Sequence, residues 1–381
     1  MKSADFLIIG GGVAGLSAAS RLARHGRTAV LEAEDALGYH SSGRSVTFSH
    51  FGIGNAAVRG LTAYSRSFFE TPPEGFCGSP LYRSQPSIYL ATEETIPQLE
   101  ALNADMARFT DRIRWIDEAG IESLCPVLKT GSEGFVRGVT DVSGLRLDAD
   151  ALLQSYARAT RSTGGEIVTG QRIAAVARQG SGWLVRTEGG DEWKTGLLIN
   201  AAGAWADRVA QLAGVSPLGL QPMRRTIIVV DPPEGMDVRD WPFVHSAGQD
   251  FYMLPESGRL LVSPVDEIPS DPCDAFPEEY DVALAAAKLE QYTTIQVRRI
   301  GHSWAGLRSF VPDRVPTAGF APDAPGFFWL AGQGGYGLQT APAMAEIVEA
   351  LVTGREWPQG LAALGVTRDV IEPSRFFAAS G

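Results

Sequence analysis

The sequence predicts a mixed α/β protein in which a Rossmann-like domain is intertwined with a second domain built on a mixed sheet. Three observations predict it. The apolar run Phe6 to Ile9 leads through closely spaced glycines into a helical pattern, the opening of a βαβ unit. A second apolar run, Thr28 to Leu31, ends in the acid Glu32. Far along the chain, Gly326-Phe-Phe-Trp-Leu-Ala331 leads into another glycine cluster and another helix. With 381 residues the chain can bury a large core and is expected to form two domains.

Gly10, Gly12 and Gly15 follow the first strand at the spacing of the dinucleotide fingerprint. Gly10 permits the tight turn, Gly12 lets the backbone approach a pyrophosphate, and Gly15 lets the helix pack on the strand. Val13 and Ala14 stand between them, where backbone amides at a helix start face an anion. Leu16 to His25 has a helical pattern that Gly26 ends. Glu32, with Ala33 after it, sits where an acid can hydrogen-bond ribose hydroxyls and repel a 2′-phosphate. NAD and FAD both suit this unit, and the flavin-like segments further along favour FAD.

Composition narrows the function. Hydrophobic residues make up 44% and charged residues 20%, as in a folded enzyme. A net charge of −11 argues against a nucleic-acid partner, so an anionic substrate needs local arginine or lysine. Cys77, Cys125 and Cys273 are far apart, with no pattern of a disulfide framework or metal site. A reducing, cytoplasmic location is the expectation, with peripheral membrane association left open. No apolar run is long enough to span a membrane.

The remaining elements follow in order. Leu37-Gly-Tyr-His40-Ser41-Ser-Gly43-Arg44-Ser45 is a turn-forming, hydroxylated loop with one fixed cation. Ser49-His-Phe-Gly-Ile-Gly-Asn55, with its two glycines, has the composition of a mobile loop or lid. Helices are expected over 56–69, 97–110 and 147–162, the last capped by Asp148 or Asp150. Strands are expected over 87–92 and from 116, the latter leading into a short helix that ends at 124. Residues 165–176 read as strand, turn, strand; 183–186 and 193–195 as a hairpin; 197–203 as a buried strand ending in small residues; and 204–213 as a helix. Side chains alternate along the strand 220–230, so Arg224 and Arg225 point to opposite faces. Trp241 to His245 and Asp250 to Pro255 read as strands, Tyr280 to Ile300 as a long helix, and Ala341 to Leu351 as the helix after the second glycine cluster. That cluster, Gly332-Gln-Gly334-Gly335-Tyr336-Gly337-Leu-Gln339-Thr340, forms a nest of backbone amides suited to the flavin edge that gains negative charge.

Several of these segments together resemble one family. Gly10 to Gly15, Glu32, Gly38 to Ser45, Phe68 to Cys77, Asn200-Ala-Ala202-Gly203-Ala-Trp205, Gly219 to Pro222, Arg224 to Thr226, Trp304-Ala-Gly306-Leu-Arg308-Ser-Phe310 and Gly332 to Gly337 are similar to the D-amino-acid oxidase/glycine oxidase flavoproteins. Within that family they are most similar to bacterial D-arginine dehydrogenases. The resemblance implies an FAD-binding domain of the glutathione-reductase type over 1–79, 150–215 and 305–381, and a substrate domain over 80–149 and 216–304. It places Ile173 near the adenine. Arg225, Tyr252 and Arg308 fall to the substrate carboxylate, with Gly335 beside them. Phe243 and His245, and the positions Phe48, Ile53 and Ser87, fall to the substrate pocket.

The departures matter. D-arginine dehydrogenases carry histidine, tyrosine and glutamate at the positions matching Phe48, Ile53 and Ser87, so a cationic substrate is not expected. Phe48 cannot replace that histidine; His50 is the substitute candidate for handling a proton. No cysteine is near Gly306 in sequence, so FAD is expected to be non-covalent. Lys288 is the only lysine in 216–304, which favours a quinone or other acceptor over oxygen. The expected reaction is FAD-dependent oxidation of a D-amino acid, neutral or hydrophobic, to an imino acid that hydrolyses to a 2-oxo acid and ammonia. An N-methyl or cyclic secondary-amine oxidase and a non-catalytic flavin-binding sensor or subunit are the alternatives.

Overall fold

Two large sheets and one small one organise the chain. In the structure, a computed structural model, residues 1–377 are described, so the last four residues of the segment expected to run to 381 lie outside it. The first sheet has eight strands. Its parallel centre pairs Lys2–Ile9 with Thr28–Leu31 on one side and Glu192–Asn200 on the other, and Phe327–Ala331 continues beyond the latter. These strands are apolar on both faces because helices cover both. Ile8, Val30, Ile199 and Phe328 pack on the helices Val13–Leu22 and Gly337–Thr353, while Leu7, Leu198 and Trp329 pack beneath Ala206–Leu212.

The fingerprint glycines act where a side chain cannot fit. Gly10 has φ of +112°, and a Cβ there would lie 2.3 Å from the Ala201 carbonyl oxygen. A Cβ at Gly15 would lie 2.0 Å from the Gly10 carbonyl oxygen. The helix starts at Val13, earlier than its apolar pattern, and stops at Leu22. The expected last turn tightens instead, with Arg24 and His25 amides donating three residues back.

The second sheet has nine strands, ordered in space from Ile268–Pro269 through Gln221–Val230, Arg259–Ser263, Tyr252–Glu256, Phe243–Ser246, Ser87–Ala91 and Arg137–Asp141 to Ile113–Ile116, with Ile300–Phe310 paired to Gln221–Val230. One face packs on Glu279–Tyr292 and Glu118–Leu124. The other faces the first sheet's glycine loops. The strand Ile300–Phe310 crosses the expected boundary at 304/305.

Other expectations are corrected. The helix read over 280–300 is Glu279–Tyr292. Thr293 turns extended, its hydroxyl caps the Leu289 carbonyl at 2.7 Å, and Thr294 donates to Val127, which leads the chain out of the helix. The hairpin strand 193–195 and the buried strand 197–203 are one strand, Glu192–Asn200, because its pairing with Lys2–Ile9 runs on past Gly196 while its other edge passes from Gly182–Thr187 to Phe327–Ala331. Strands Arg259–Ser263 and Thr317–Phe320 had no sequence signal strong enough to be read. Asp148 is the cap of Ala149–Ser162, accepting from the Ala151 amide at 2.9 Å. Asp148→Ala should therefore cost about 1 kcal/mol, read as a lower urea midpoint at unchanged slope, whereas Asp150→Ala should cost less.

Candidate active site

A cavity of about 790 Å³ lies between the two sheets. One end is built by the first glycine loop: Gly12, Val13 and Ala14 form its wall with Ser41, Ser42, Arg44 and Ser45. Gly12 has no side chain to cap the helix, and Ser42 Oγ accepts from the Val13 amide at 3.0 Å, so the Ala14 and Gly15 amides are the ones open to an anion. The 37–45 loop is tied across to the other sheet. Ser41 Oγ donates to the Leu307 carbonyl, and Trp304 Nε1 donates to the Arg44 carbonyl at 2.9 Å. Arg44 lines the cavity, but its guanidinium is engaged by Asp274 and by the carbonyls of Ala275 and Ala305.

The middle is built by the second glycine loop. Gly306, Gly334, Gly335, Tyr336, Gly337 and Gln339 all line it. Gly334 has φ of +53°, and a Cβ there would strike the Phe310 ring at 2.4 Å. A Cβ at Gly335 would come within 3.0 Å of the Arg308 guanidinium, so glycine here lets that cation lie flat against the backbone. The uncapped start of Gly337–Thr353 points its amides into the same space. Tyr336 turns its hydroxyl away, donating to the Arg314 carbonyl. Gln339 braces the 49–55 loop, accepting from the His50 amide at 3.3 Å and donating to Thr62 at 2.7 Å. That loop, read as a mobile lid, is held further by pairing of Phe48–Ser49 with Leu145–Arg146 and by Asn55 capping the next helix.

The far end is floored by the second sheet. Ser87 pairs with Phe243, Tyr89 with His245, and His245 with Tyr252, so these side chains share one face. Phe48, Ile53, Ile227 and Phe243 supply apolar wall. Arg225 and Arg308 both reach in. Arg224 points the other way, to Asp281 at 2.8 Å and to Glu278. Arg225 donates to the Asp266 carbonyl at 2.6 Å and to Glu267 at 3.3 Å. Burial and the nearby Arg308 charge pull its proton affinity down, to about 10. Among the described residues Arg308 has no carboxylate partner. The Tyr252 hydroxyl and His245 Nε2 are buried without partners.

His50 is buried in the wall, with Nδ1 2.7 Å from the Tyr89 hydroxyl. Its ring stacks at 5.0 Å on that of His245. Burial and the charges of Arg308 and Arg59 push its pKa down to about 3, and burial and its neighbours push that of His245 well below the usual range. Both imidazoles are neutral near pH 7.

The structure does not bring every expected residue to the cavity wall. Ser87 is fully buried behind Tyr89, its Oγ 3.1 Å from that hydroxyl, so it cannot take a substrate side chain. Gly10 and Gly15 serve strand–helix packing, and Thr340 donates within its own helix. Glu32 accepts from the Gly11 amide at 2.6 Å and the Glu34 amide at 2.9 Å, shaping the loop. His40 pairs with Glu34 at 3.0 Å and packs on Trp205. Ala33, Gly43, Ile173 and Ala202 stand outside the wall; Gly203 lines it. No cysteine lines this cavity among the described residues, but Cys273, distant in sequence, shares a separate narrow crevice with Gly306 and Leu307. Tyr89 and Arg59 line the cavity and were missed. Alternation from Ser87 could have found Tyr89; nothing local marks Arg59.

Comparison with known proteins supplies the family. Residues 5–351 match the DAO family, described as FAD dependent oxidoreductase. Hydrogen cyanide synthase subunit HcnC of Pseudomonas aeruginosa is 26% identical over 284 residues, 72% of this chain and 64% of that protein. L-2-hydroxyglutarate dehydrogenase of Salmonella houtenae is 27% identical over 231 residues, 56% of this chain and 50% of that protein. The chain thus spans about half to just under two thirds of the length of these relatives. The crystal structure of glycine oxidase from Geobacillus kaustophilus superposes with a TM-score of 0.82 at 22% identity, covering 97% of this chain and 99% of that one. None of these is a D-arginine dehydrogenase, so the likeness stands at the level of the family. Among the described residues no helix is long and apolar enough to cross a membrane.

The depressed His50 pKa fixes a sign. Between about pH 6.5 and pH 3 the unfolded chain binds a proton that the native His50 refuses, so stability present above the unfolded value is lost as pH falls through this window. The urea midpoint should drop over that range, and His50→Gln should flatten the slope.

Proposed function

This chain belongs to the DAO family of FAD-dependent oxidoreductases, and from that premise we propose that it oxidises a neutral or hydrophobic D-amino acid at Cα. The walls fit the cofactor: the Val13–Leu22 helix start, with its Ala14 and Gly15 amides free, and the hydroxylated loop suit the pyrophosphate, and the glycines at 334, 335 and 337 leave room beside Arg308, with the Gly335 and Gly337 amides free. When bound, FAD supplies the hydride acceptor for the carbon bearing nitrogen.

One observation carries the reading: Arg308 stands in the cavity without a carboxylate of its own, beside a second arginine. Two like charges in a largely desolvated space are costly until an anion joins them. A substrate carboxylate fits, forked by Arg308, with Arg225 adding charge and the unpartnered Tyr252 hydroxyl donating a further bond. This fixes the Cα–H direction. The carboxylates in the wall, Glu267 and Asp313, are taken by Arg314 and Arg375, leaving none for a cationic side chain. Phe48, Ile53 and Phe243 supply apolar surface instead. No lysine lines the cavity among the described residues, which supports an acceptor other than oxygen.

Anaerobic mixing of the yellow holoprotein with amino acids tests this. D-Leu, D-Met or D-Phe should bleach the flavin band and their L forms should not. Bleaching by 2-hydroxy acids or secondary amines alone would move the assignment within the family, and no bleaching by any of them would sink it. Arg308→Met should lower kcat/KM for the active substrate about a hundredfold or more. An unchanged value would remove Arg308 from substrate binding.

A further inference from the structure

One carboxylate links the inside of the cavity to its rim. Arg225 Nη2 donates to Glu267 Oε1 at 3.3 Å. The other oxygen of the same group, Oε2, accepts from Arg314 Nη2 at 2.5 Å. The Arg225 side chain is 6% exposed, that of Glu267 34% and that of Arg314 48%. All three residues line the wall, so Glu267 stands between a buried cation and a half-exposed one.

We propose that Glu267 is a displaceable internal counter-ion: it offsets Arg225 while the site is empty, and it swings onto Arg314 alone when a substrate carboxylate reaches Arg225 and Arg308. This rests on the carboxylate reading above. Glu267 and Arg314 then set how tightly the site takes an anion. Arg314 is a positioning residue, since it acts through Glu267.

Charge and solvation favour the exchange. A carboxylate arriving at Arg225 meets Glu267 Oε1 on the same guanidinium, and like charges in a desolvated space repel. Glu267 already leans outward, its contact to Arg314 being the shorter of the two. The outer pair is half-exposed, so water solvates the oxygen that leaves Arg225 and no buried charge is stranded. Arg225 keeps a fixed partner, its Nε donating to the Asp266 carbonyl at 2.6 Å. The Asp266 carboxylate cannot swing in Glu267's place, because both its oxygens accept from the Thr226 amide, at 2.8 and 3.0 Å.

The backbone on both sides is held, which leaves the Glu267 side chain as the part that moves. Val265 has φ of +56° and Arg314 has φ of +60°. A left-handed backbone is costly at both, most of all for a β-branched residue, and it persists only where neighbours hold it. The Val265 amide donates to Ser263 Oγ at 3.2 Å, and Ile268, after Glu267, pairs with Arg224. The Arg314 amide donates to the Val311 carbonyl at 2.9 Å, and its carbonyl accepts from the Tyr336 hydroxyl. The Arg314 guanidinium rests over the Phe310 ring at 4.0 Å, a platform that does not depend on Glu267. Among the described residues Arg314 pairs with no other acid, because Asp313 beside it is held by Arg375 at 2.7 Å.

Acetate titrated into the oxidised holoprotein, followed by the change in the flavin absorption band, reads anion binding without turnover. Glu267→Gln removes the internal anion and should tighten acetate about tenfold. Arg314→Gln leaves Glu267 with Arg225 alone and should weaken acetate by a similar factor, and Arg314→Lys should restore it. With Glu267→Gln and Arg314→Gln combined, acetate should bind as it does to Glu267→Gln alone. Structural damage would weaken binding in both single variants, whereas this inference requires opposite signs. Acetate bound no more tightly by Glu267→Gln, or a double variant as weak as Arg314→Gln, would overturn it. Should Glu267→Gln lose its flavin, the rim variant decides: acetate bound by Arg314→Gln as tightly as by the wild type would overturn it too. Arg308→Met separates the two readings. Acetate binding that Arg308→Met does not weaken would overturn both, whereas binding that needs Arg308 but is indifferent to Glu267 would overturn this inference alone.

Discussion

The site depends on one electrostatic constraint: two guanidinium groups, Arg225 and Arg308, meet at one end of the cavity, where among the described residues carboxylates pair with only the first. Arg225 and Arg308 are brought together by the antiparallel pairing of Gln221–Val230 with Ile300–Phe310, in which Arg225 opposes Gly306 and Met223 opposes Arg308. Both arginines therefore project from one face, two residues apart along the ladder. Asp266 and Glu267 offset the first. The second lies against Gly335, whose missing side chain is the space the guanidinium occupies. An anion binding between them would relieve repulsion as well as form bonds, which is the physical basis of the carboxylate reading proposed above.

Around that pair the two sheets divide the labour. The parallel sheet presents loops and helix starts, whose bare amides suit phosphates and a flavin edge. The mixed sheet presents a face of alternating side chains, whose identities set substrate chemistry. The 37–45 loop joins the two through Ser41 to Leu307 and Trp304 to Arg44, so on the proposed reading the cofactor-facing loop and the substrate-facing residues are fixed by the same strand. Displacing Ile300–Phe310 would disturb both at once.

Much of this was legible in the sequence because its signals are local. The fingerprint is contiguous, and its glycines have steric meanings that survive into the structure. The opposed directions of Arg224 and Arg225 followed from strand periodicity alone. What was not legible depends on where strands meet. Motif matching put Ser87 in the pocket, but Tyr89, two residues on and on the same face, covers it and reaches His50. Cys273 is remote from Gly306 in the chain yet shares a crevice with it. The strand Arg259–Ser263 is short and flanked by turn residues, and its partners on both sides define it more than its own pattern does.

The histidines extend the electrostatic argument. Desolvation and the arginines act on His50 in the same direction, so it cannot hold a proton for long. On the proposed reading, the same cations that hold the imidazole neutral would bind the substrate carboxylate and lower the proton affinity of an amine placed beside them. Substrate binding and the readiness of its amine to lose a proton would then have a common cause in the charge of Arg225 and Arg308.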